Sequence, residues 1–294
     1  MGRTAQRWLL ALCLLGSLTL ASQHARAAAP VWTVRGAHGT VYLAGSVHLL
    51  PAQDAALPAA FDRAYQDCAI LVMELDLDKL DPLQLSGWLQ QHGTLSRDTT
   101  LRTVLGEERY ARTAAAASSL GVPMSLLDTQ APWVIGVDLA ELEYTRLGYD
   151  PEQGVEEQLL RRAHADSKPT AGLETVDEEL GGLERLPRAE QLKFLDQTLS
   201  ELKDTQADML VVLAAWRRGD AARLATLLSK EYGEFPALFR PLVTDRNRHW
   251  LPQIEQFLRS DSNTLVVVGA LHLVGREGLL ELLRQDGYQP VQLN

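Results

Sequence analysis

The chain has 294 residues, of which 46% are apolar and 22% charged; this ordinary globular balance excludes a disordered, collagenous or polytopic membrane chain. Its 28 Lys and Arg against 38 Asp and Glu give a net charge of -10 with no basic run to offset it, so no nucleic-acid partner is expected. The length suits one large α/β domain with a substantial core.

Residues 1–27 begin with Arg3 and Arg7, continue through the apolar run Trp8 to Ala21, and end in Ala25-Arg26-Ala27. That order is the order of a secretory signal peptide, and the apolar run is short for a bilayer span. A periplasmic or secreted location is expected, with residues 28–294 forming the mature domain and no integral membrane segment after cleavage. Leu12 before Cys13 lacks the small side chain that lipoprotein processing needs, so no lipid anchor is expected. Cleavage removes three arginines and no acid, which takes 28 basic side chains to 25 against 38 acidic ones, net -13. Only Cys68 is left, so no intramolecular disulfide can form. Its setting before Ala69-Ile70-Leu71-Val72 predicts a buried, inert thiol.

Val31 to Arg35 and Thr40 to Ala44 are short β-type runs around Gly36-Ala37-His38-Gly39 and predict an antiparallel hairpin. A helix is predicted over Ala55 to Asp67, then a buried strand over Ile70 to Leu75. From Asp81 to Leu147 the pattern is mainly helical, clearest over Glu107 to Leu120 and Pro132 to Leu147, with a short strand at Met124 to Leu127. A helix over Gly154 to His164 and a strand over Pro169 to Leu173 follow. Pro187 to Arg218 carries an apolar stripe at helical spacing, read as one long or two shorter structural helices. Thr244 is placed to cap a helix over Asp245 to Arg259. Thr264 to Val268 is a strongly β-branched strand, followed by a helix near Gly275 to Gln285 and a strand at Tyr288 to Leu293. The expected fold is therefore a central mixed β-sheet built from both chain ends, flanked by helices, with a helical middle segment.

Zincin, serine-hydrolase and P-loop motifs are absent. Instead one phrase occurs twice, Leu43-Ala44-Gly45-Ser46-Val47-His48-Leu49-Leu50 and Val267-Val268-Gly269-Ala270-Leu271-His272-Leu273-Val274. With 21 glycines and 7 histidines, chance supplies roughly half a Gly-x-x-His per chain, so the shared context carries the signal. In each copy a strand runs into a glycine that lets the chain turn sharply, and the histidine faces the crevice beyond the strand's carboxyl end. Glu74 ends the buried run Leu71-Val72-Met73, where a lone carboxylate needs a cation or a hydrogen-bond donor. Two histidines and one glutamate match the three-ligand pattern of a catalytic divalent metal, with His48, His272 and Glu74 as ligands. Arg246 and Asn247 open a predicted helix and are candidates to stabilise a developing oxyanion. His38, His92, His164 and His249 belong to no motif and read as surface residues.

With these residues the chain resembles the TraB/PrgY/GumN family, which includes the Tiki metalloproteases and is related more distantly to ChaN-like haem-binding proteins and erythromycin esterases. The resemblance rests on Gly45-x-x-His48, Glu74, Gly154-Val155-Glu156 with Leu159-Leu160 and Ala163, and Lys168-Pro169 with Gly172-Leu173-Glu174-Thr175. It continues through Trp216 with Gly219-Asp220, Arg246-Asn247 with Trp250, and Val268-Gly269-Ala270-Leu271-His272-Leu273-Val274-Gly275. The Tiki branch implies a metal-dependent peptidase activated by Mn or Co rather than Zn, acting on a peptide or protein of the cell envelope. It implies His48 and His272 as ligands, Glu74 as ligand or general base, and Arg246 with Asn247 as transition-state or orienting groups. Glu156 and Glu174 match acidic positions of the family pattern without an assigned role. The other branches imply a haem or ligand-binding protein without catalysis, or an accessory of envelope polysaccharide assembly.

Overall fold

The computed structural model describes residues 28–294; the export signal expected over residues 1–27 lies outside the described residues. Strands β1 (Val31–Arg35) and β2 (Thr40–Ser46) form the expected hairpin, with Val31 opposite Ala44. Gly36 N donates to Gly39 O at 2.9 Å and closes its turn. The short β3 (Leu50–Pro51), helix α1 (Ala59–Asp67) and β4 (Ile70–Met73) follow. The helical middle comprises α2 (Pro82–His92), α3 (Leu101–Ser119), α4 (Pro132–Arg146), β5 (Tyr149–Asp150), α5 (Val155–Asp166), β6 (Thr170–Gly172), α6 (Val176–Glu184), α7 (Arg188–Glu201), α8 (Thr205–Arg217), α9 (Ala221–Glu234), α10 (Pro236–Phe239) and α11 (Asp245–Leu258). The chain then returns to the sheet through β7 (Thr264–Gly269), α12 (Ala270–Leu273), α13 (Leu279–Gln285) and β8 (Val291–Gln292).

Six strands form one mixed sheet in the order β6-β4-β7-β2-β1-β8, and β3 pairs with β5 in a separate ribbon. The four strands β6, β4, β7 and β2 run parallel, while β1 is antiparallel to both of its neighbours. β7 is a run of apolar, mostly β-branched residues because it is buried between parallel neighbours, where alternation with polar residues would leave the latter unsolvated. Leu43, Leu71, Val266 and Val267 are fully buried, packed with Phe61, Trp216, Trp250 and Ile254 from the helices. The helical middle adds clusters of its own around Leu105, Ile135 and Leu195 and around Trp133 and Leu183.

This topology sets the carboxyl ends of four parallel strands along one edge. Ser46 lies opposite Gly269, and Met73 lies opposite both Val267 and Gly172. His48, Glu74, Glu174 and His272 therefore all emerge within three residues of these ends, in the crevice where open α/β sheets place ligands.

Several element boundaries differ from the sequence reading. Met124 to Leu127 is no strand: after Pro123 the chain makes a 3-10 turn over Met124–Leu126, in a helical layer that offers no sheet to extend. The first helix starts at Ala59 rather than Ala55, because Pro58 precedes it in extended conformation. α3 begins at Leu101 on a Thr100 cap and is interrupted at Gly106, whose φ of 74° no helix accommodates. The stripe from Pro187 to Arg218 divides into α7 and α8. Thr244 does not cap α11: it is already helical, at the end of a π-helical turn over Arg240–Thr244 that runs directly into Asp245. The predicted helix from Gly275 starts only at Leu279, since Gly275 has a φ of 85°, and the last strand is only Val291–Gln292. His92 is half-buried and stacks on Trp88 with ring centroids 4.5 Å apart, so it is not a plain surface residue.

Candidate functional site

Two glycines permit the crevice. A Cβ on Gly45 would lie 3.0 Å from Ala270 Cα, so its absence lets α12 rest on the end of β2. A Cβ on Gly269 would lie 3.4 Å from Glu74 Oε1, 3.5 Å from His272 Cδ2 and 3.8 Å from His48 Nε2. One point thus neighbours all three side chains expected as metal ligands. The repeated phrase brings its two histidines to one centre, and Glu74 joins them.

His272 is buried on α12. Asn247 Nδ2 donates to the carbonyls of His272, at 3.1 Å, and Glu277, at 2.7 Å, which leaves its Oδ1 to accept from His272 Nδ1 at 2.7 Å. The proton therefore resides on Nδ1, and the lone pair of Nε2 faces Arg246 Nη1 at 3.4 Å, with Glu74 Oε1 3.9 Å away. Burial lowers the His272 pKa to about 4, so the ring is neutral at pH 7. The π-helical turn sets the phase of α11 so that Asn247, fully buried, meets this ring and Trp250 packs against it at 4.6 Å. Asn247 accordingly acts through His272, as an orienting group.

His48 is held differently. Its Nδ1 lies 2.9 Å from Glu156 Oε1, at the first turn of α5. Val155 N donates to Val47 O at 3.2 Å, and a Cβ on Gly154 would fall 2.2 Å from His48 O. The Gly154-Val155-Glu156 segment thus straps the helix start onto the histidine loop and sets a buried carboxylate beneath the ring. The Glu156 charge raises the His48 pKa to about 10, with Glu74 and Glu179 reinforcing it.

Glu74 receives Gly269 N on Oε1 at 2.7 Å and Arg246 Nη2 on Oε2 at 2.5 Å. Burial would raise its pKa, but the positive groups around it, Arg246 and His48 among them, prevail and hold it well below the usual carboxylate range. Arg246 also grips Glu174, with Nε 3.0 Å from Oε1, and Trp250 Nε1 donates to Glu174 Oε2 at 3.1 Å. Gly172 permits this approach: its missing Cβ would meet Asp76 N at 2.6 Å, and Glu174 N bonds to Glu74 O at 3.0 Å. The remaining Arg246 N–H lies 3.4 Å from His272 Nε2.

Glu179, on α6, was not legible as a site residue, because Asp177-Glu178-Glu179 reads as charge at a helix N-terminus. It lies 3.8 Å from Arg246 Nη2 and, with Glu74 and Glu174, forms a group of three carboxylates whose oxygens all lie within 4.8 Å of one another. Burial, then the Glu74 charge, pushes its pKa up to about 7. That group could hold a metal ion, and its donor set is oxygen alone. The two histidines widen the choice. A cavity of about 180 Å³ opens onto His48, Glu74, Glu156 and Glu179, and a second of about 340 Å³ adjoins it across Arg246 and Glu174. Trp216 serves the scaffold, donating from Nε1 to Gly45 O at 2.7 Å. His249 pairs with Glu178 at 3.4 Å on the rim of the larger cavity.

The chain is 25% identical to Uncharacterized protein YbaP of Escherichia coli (strain K12) over 243 residues, covering 83% of this chain and 87% of that one. The same figures hold for Uncharacterized protein YbaP of Shigella flexneri. An uncharacterized protein of Treponema pallidum (strain Nichols) is 25% identical over 275 residues, 86% of this chain and 80% of the other. No solved structure matches. The model of the TraB/PrgY/gumN family matches residues 30–292, which takes in every residue of the crevice, and the chain belongs to that family.

Proposed function

We propose that this protein is an exported metal-dependent hydrolase, a peptidase, whose centre is His48, Glu74 and His272. The observation that carries this reading is the way the two imidazoles are held. His272 Nδ1 donates to Asn247 Oδ1, His48 Nδ1 lies 2.9 Å from the Glu156 carboxylate, and His48 Nε2, the His272 ring edge and Glu74 Oε1 all neighbour one point beside Gly269. Histidine ligands are oriented in this manner by carboxylate and carbonyl partners behind them. The donor set of two imidazoles and a carboxylate fits a divalent ion such as Mn or Co, with Glu174 and Glu179 supplying further oxygens close by. Such an ion, when bound, supplies a Lewis acid to polarise a scissile carbonyl.

The chain's own residues do the rest. Glu74 is ionised and placed to accept a proton from the attacking nucleophile. Arg246 spends its N–H groups on Glu174, Glu74, the Leu242 carbonyl and His272 Nε2, so it positions the side chains of the centre. Asn247 and Glu156 fix the rings. The cavity is lined by Glu74, Glu156, Glu157 and Glu179 beside Met73, Leu75, Leu77 and Pro151, and its four carboxylates suit a cation. Export rests on the order of basic, apolar and small residues over 1–27.

The test is metal content by plasma mass spectrometry on protein purified without chelator, in wild type and His272→Ala, alongside hydrolysis of a fluorogenic peptide library with and without EDTA. Near-stoichiometric divalent metal that is lost in the variant, with peptide cleavage abolished by EDTA, is the expected result. Wild type that takes up neither Mn, Co nor Zn would overturn the reading and favour ligand binding or an accessory role.

A further inference from the structure

Beside the acidic cavity lies a different one. A groove of about 380 Å³ is lined by Leu49, Val122, Leu126 and Leu142, with Gln130 and Glu141 among its polar members. It adjoins the candidate centre: Pro151 stands in the wall of both cavities, and Leu49 directly follows His48 in the chain. The β3–β5 ribbon, which pairs Leu50 with Asp150 and Pro51 with Tyr149, braces the loop between them.

Two features of this groove are unusual for plain surface. Leu126 is 65% exposed in its wall, an aliphatic side chain left in water beside other aliphatic groups. Gln130, which gives an Nε2–H to Asp138 at 3.1 Å, has its Oε1 buried without a donor among the described residues. Burial raises the Asp138 pKa, and exposed Glu141 adds charge at the rim. The groove therefore offers apolar walls, an acidic rim and no basic residue.

We infer that this groove is the subsite that receives a bulky aliphatic or aromatic side chain of an extended peptide, next to the bond presented to His48, Glu74 and His272. The inference rests on the proposed peptidase reading and adds the substrate's side-chain class to it. Small side chains leave the groove unfilled, and acidic ones meet Glu141 and an apolar wall that strips their hydration.

The experiment is fluorescence anisotropy of three fluorescein-labelled pentapeptides that differ only in a central Leu, Gly or Asp. Binding is measured with EDTA present so that nothing turns over, on wild type and on Leu126→Glu, an exposed position whose change spares the core. Wild type should bind the Leu peptide at least roughly tenfold more tightly than the Gly peptide, with Asp weakest. Leu126→Glu should remove most of that preference. Equal affinities in wild type, no binding of any of the three, or a preference unchanged in Leu126→Glu would overturn the inference. The preference in binding without any cleavage after metal is restored would sink the hydrolase reading and leave the subsite standing; cleavage indifferent to the central side chain would do the opposite.

Discussion

Asn247 Oδ1 accepts the Nδ1 proton of His272 at 2.7 Å, and the same side chain's Nδ2 is committed to the carbonyls of His272 and Glu277. One asparagine thus fixes both the tautomer and the backbone position of the histidine. Asn247→Ala takes its partner from a buried carbonyl, a half-buried one and a ring N–H, a loss of about 1–3 kcal/mol. Metal affinity should fall about 10- to 100-fold, as it does when a partner behind a histidine ligand is removed. Chemical denaturation and metal titration of the variant check the two parts separately.

Arg246 lies among three carboxylates. Arg246→Ala strands Glu74 and Glu174, both buried, and should cost about 3–5 kcal/mol in a urea unfolding experiment at pH 7. Lowering the pH to 5 should recover part of the loss, because Glu174 and Glu179, already raised by burial, protonate readily once the cation is gone. Arg246→Lys should recover less than full stability, since an ammonium cannot hold both carboxylates in a fork.

The pairing of His48 with Glu156 makes stability depend on pH in a defined direction. Folding raises the His48 pKa from 6.5 to about 10 through Glu156, with Glu74 and Glu179 also facing it. A raised histidine contributes stability that is complete below about pH 6.5 and is lost as the pH climbs through 10. Glu156→Gln removes the main partner, so its destabilisation should be larger at pH 6.5 than at pH 10.5. Melting temperatures of metal-free wild type and variant at both values decide the matter; a difference that grows with pH would contradict the assignment.

Gly154→Ala tests the strap beneath His48. The added Cβ would lie 2.2 Å from a backbone carbonyl, so the start of α5 must move away and take Glu156 with it. A loss of about 1–3 kcal/mol is expected from overpacking, together with weaker metal binding. A variant with wild-type melting temperature and metal content would show that the strap does not position the ring.

Much of the site was legible because its residues stand at strand ends, where apolar runs stop abruptly at a glycine, a histidine or a glutamate. His48, Glu74 and His272 each follow such a run, and the structure brings them beside Gly269. Glu179 was hidden because a helix N-terminus draws acidic residues for its own reasons, and one-dimensional spacing does not show which of them turns inward. The 3-10 turn at Met124–Leu126 is hidden for a related reason: a short, mostly apolar run looks the same whether a sheet edge or a helical layer receives it.

Chain chemistry alone determined the hairpin, the buried strands, the mixed sheet formed from both ends and the repeated Gly-x-x-His, since each depends on local patterning or on glycine's missing Cβ. The tertiary structure alone decided how the parts meet. Strand order set β7 between β2 and β4 and so aligned their carboxyl ends, and the π-helical turn phased α11 so that Arg246 and Asn247 face different partners. Close backbone approaches at Gly154 and Gly172 placed Glu156 under His48 and Glu174 against Arg246. Those pairings join residues far apart in sequence, and they exist because buried charges in a sheet crevice must find opposite charges or donors.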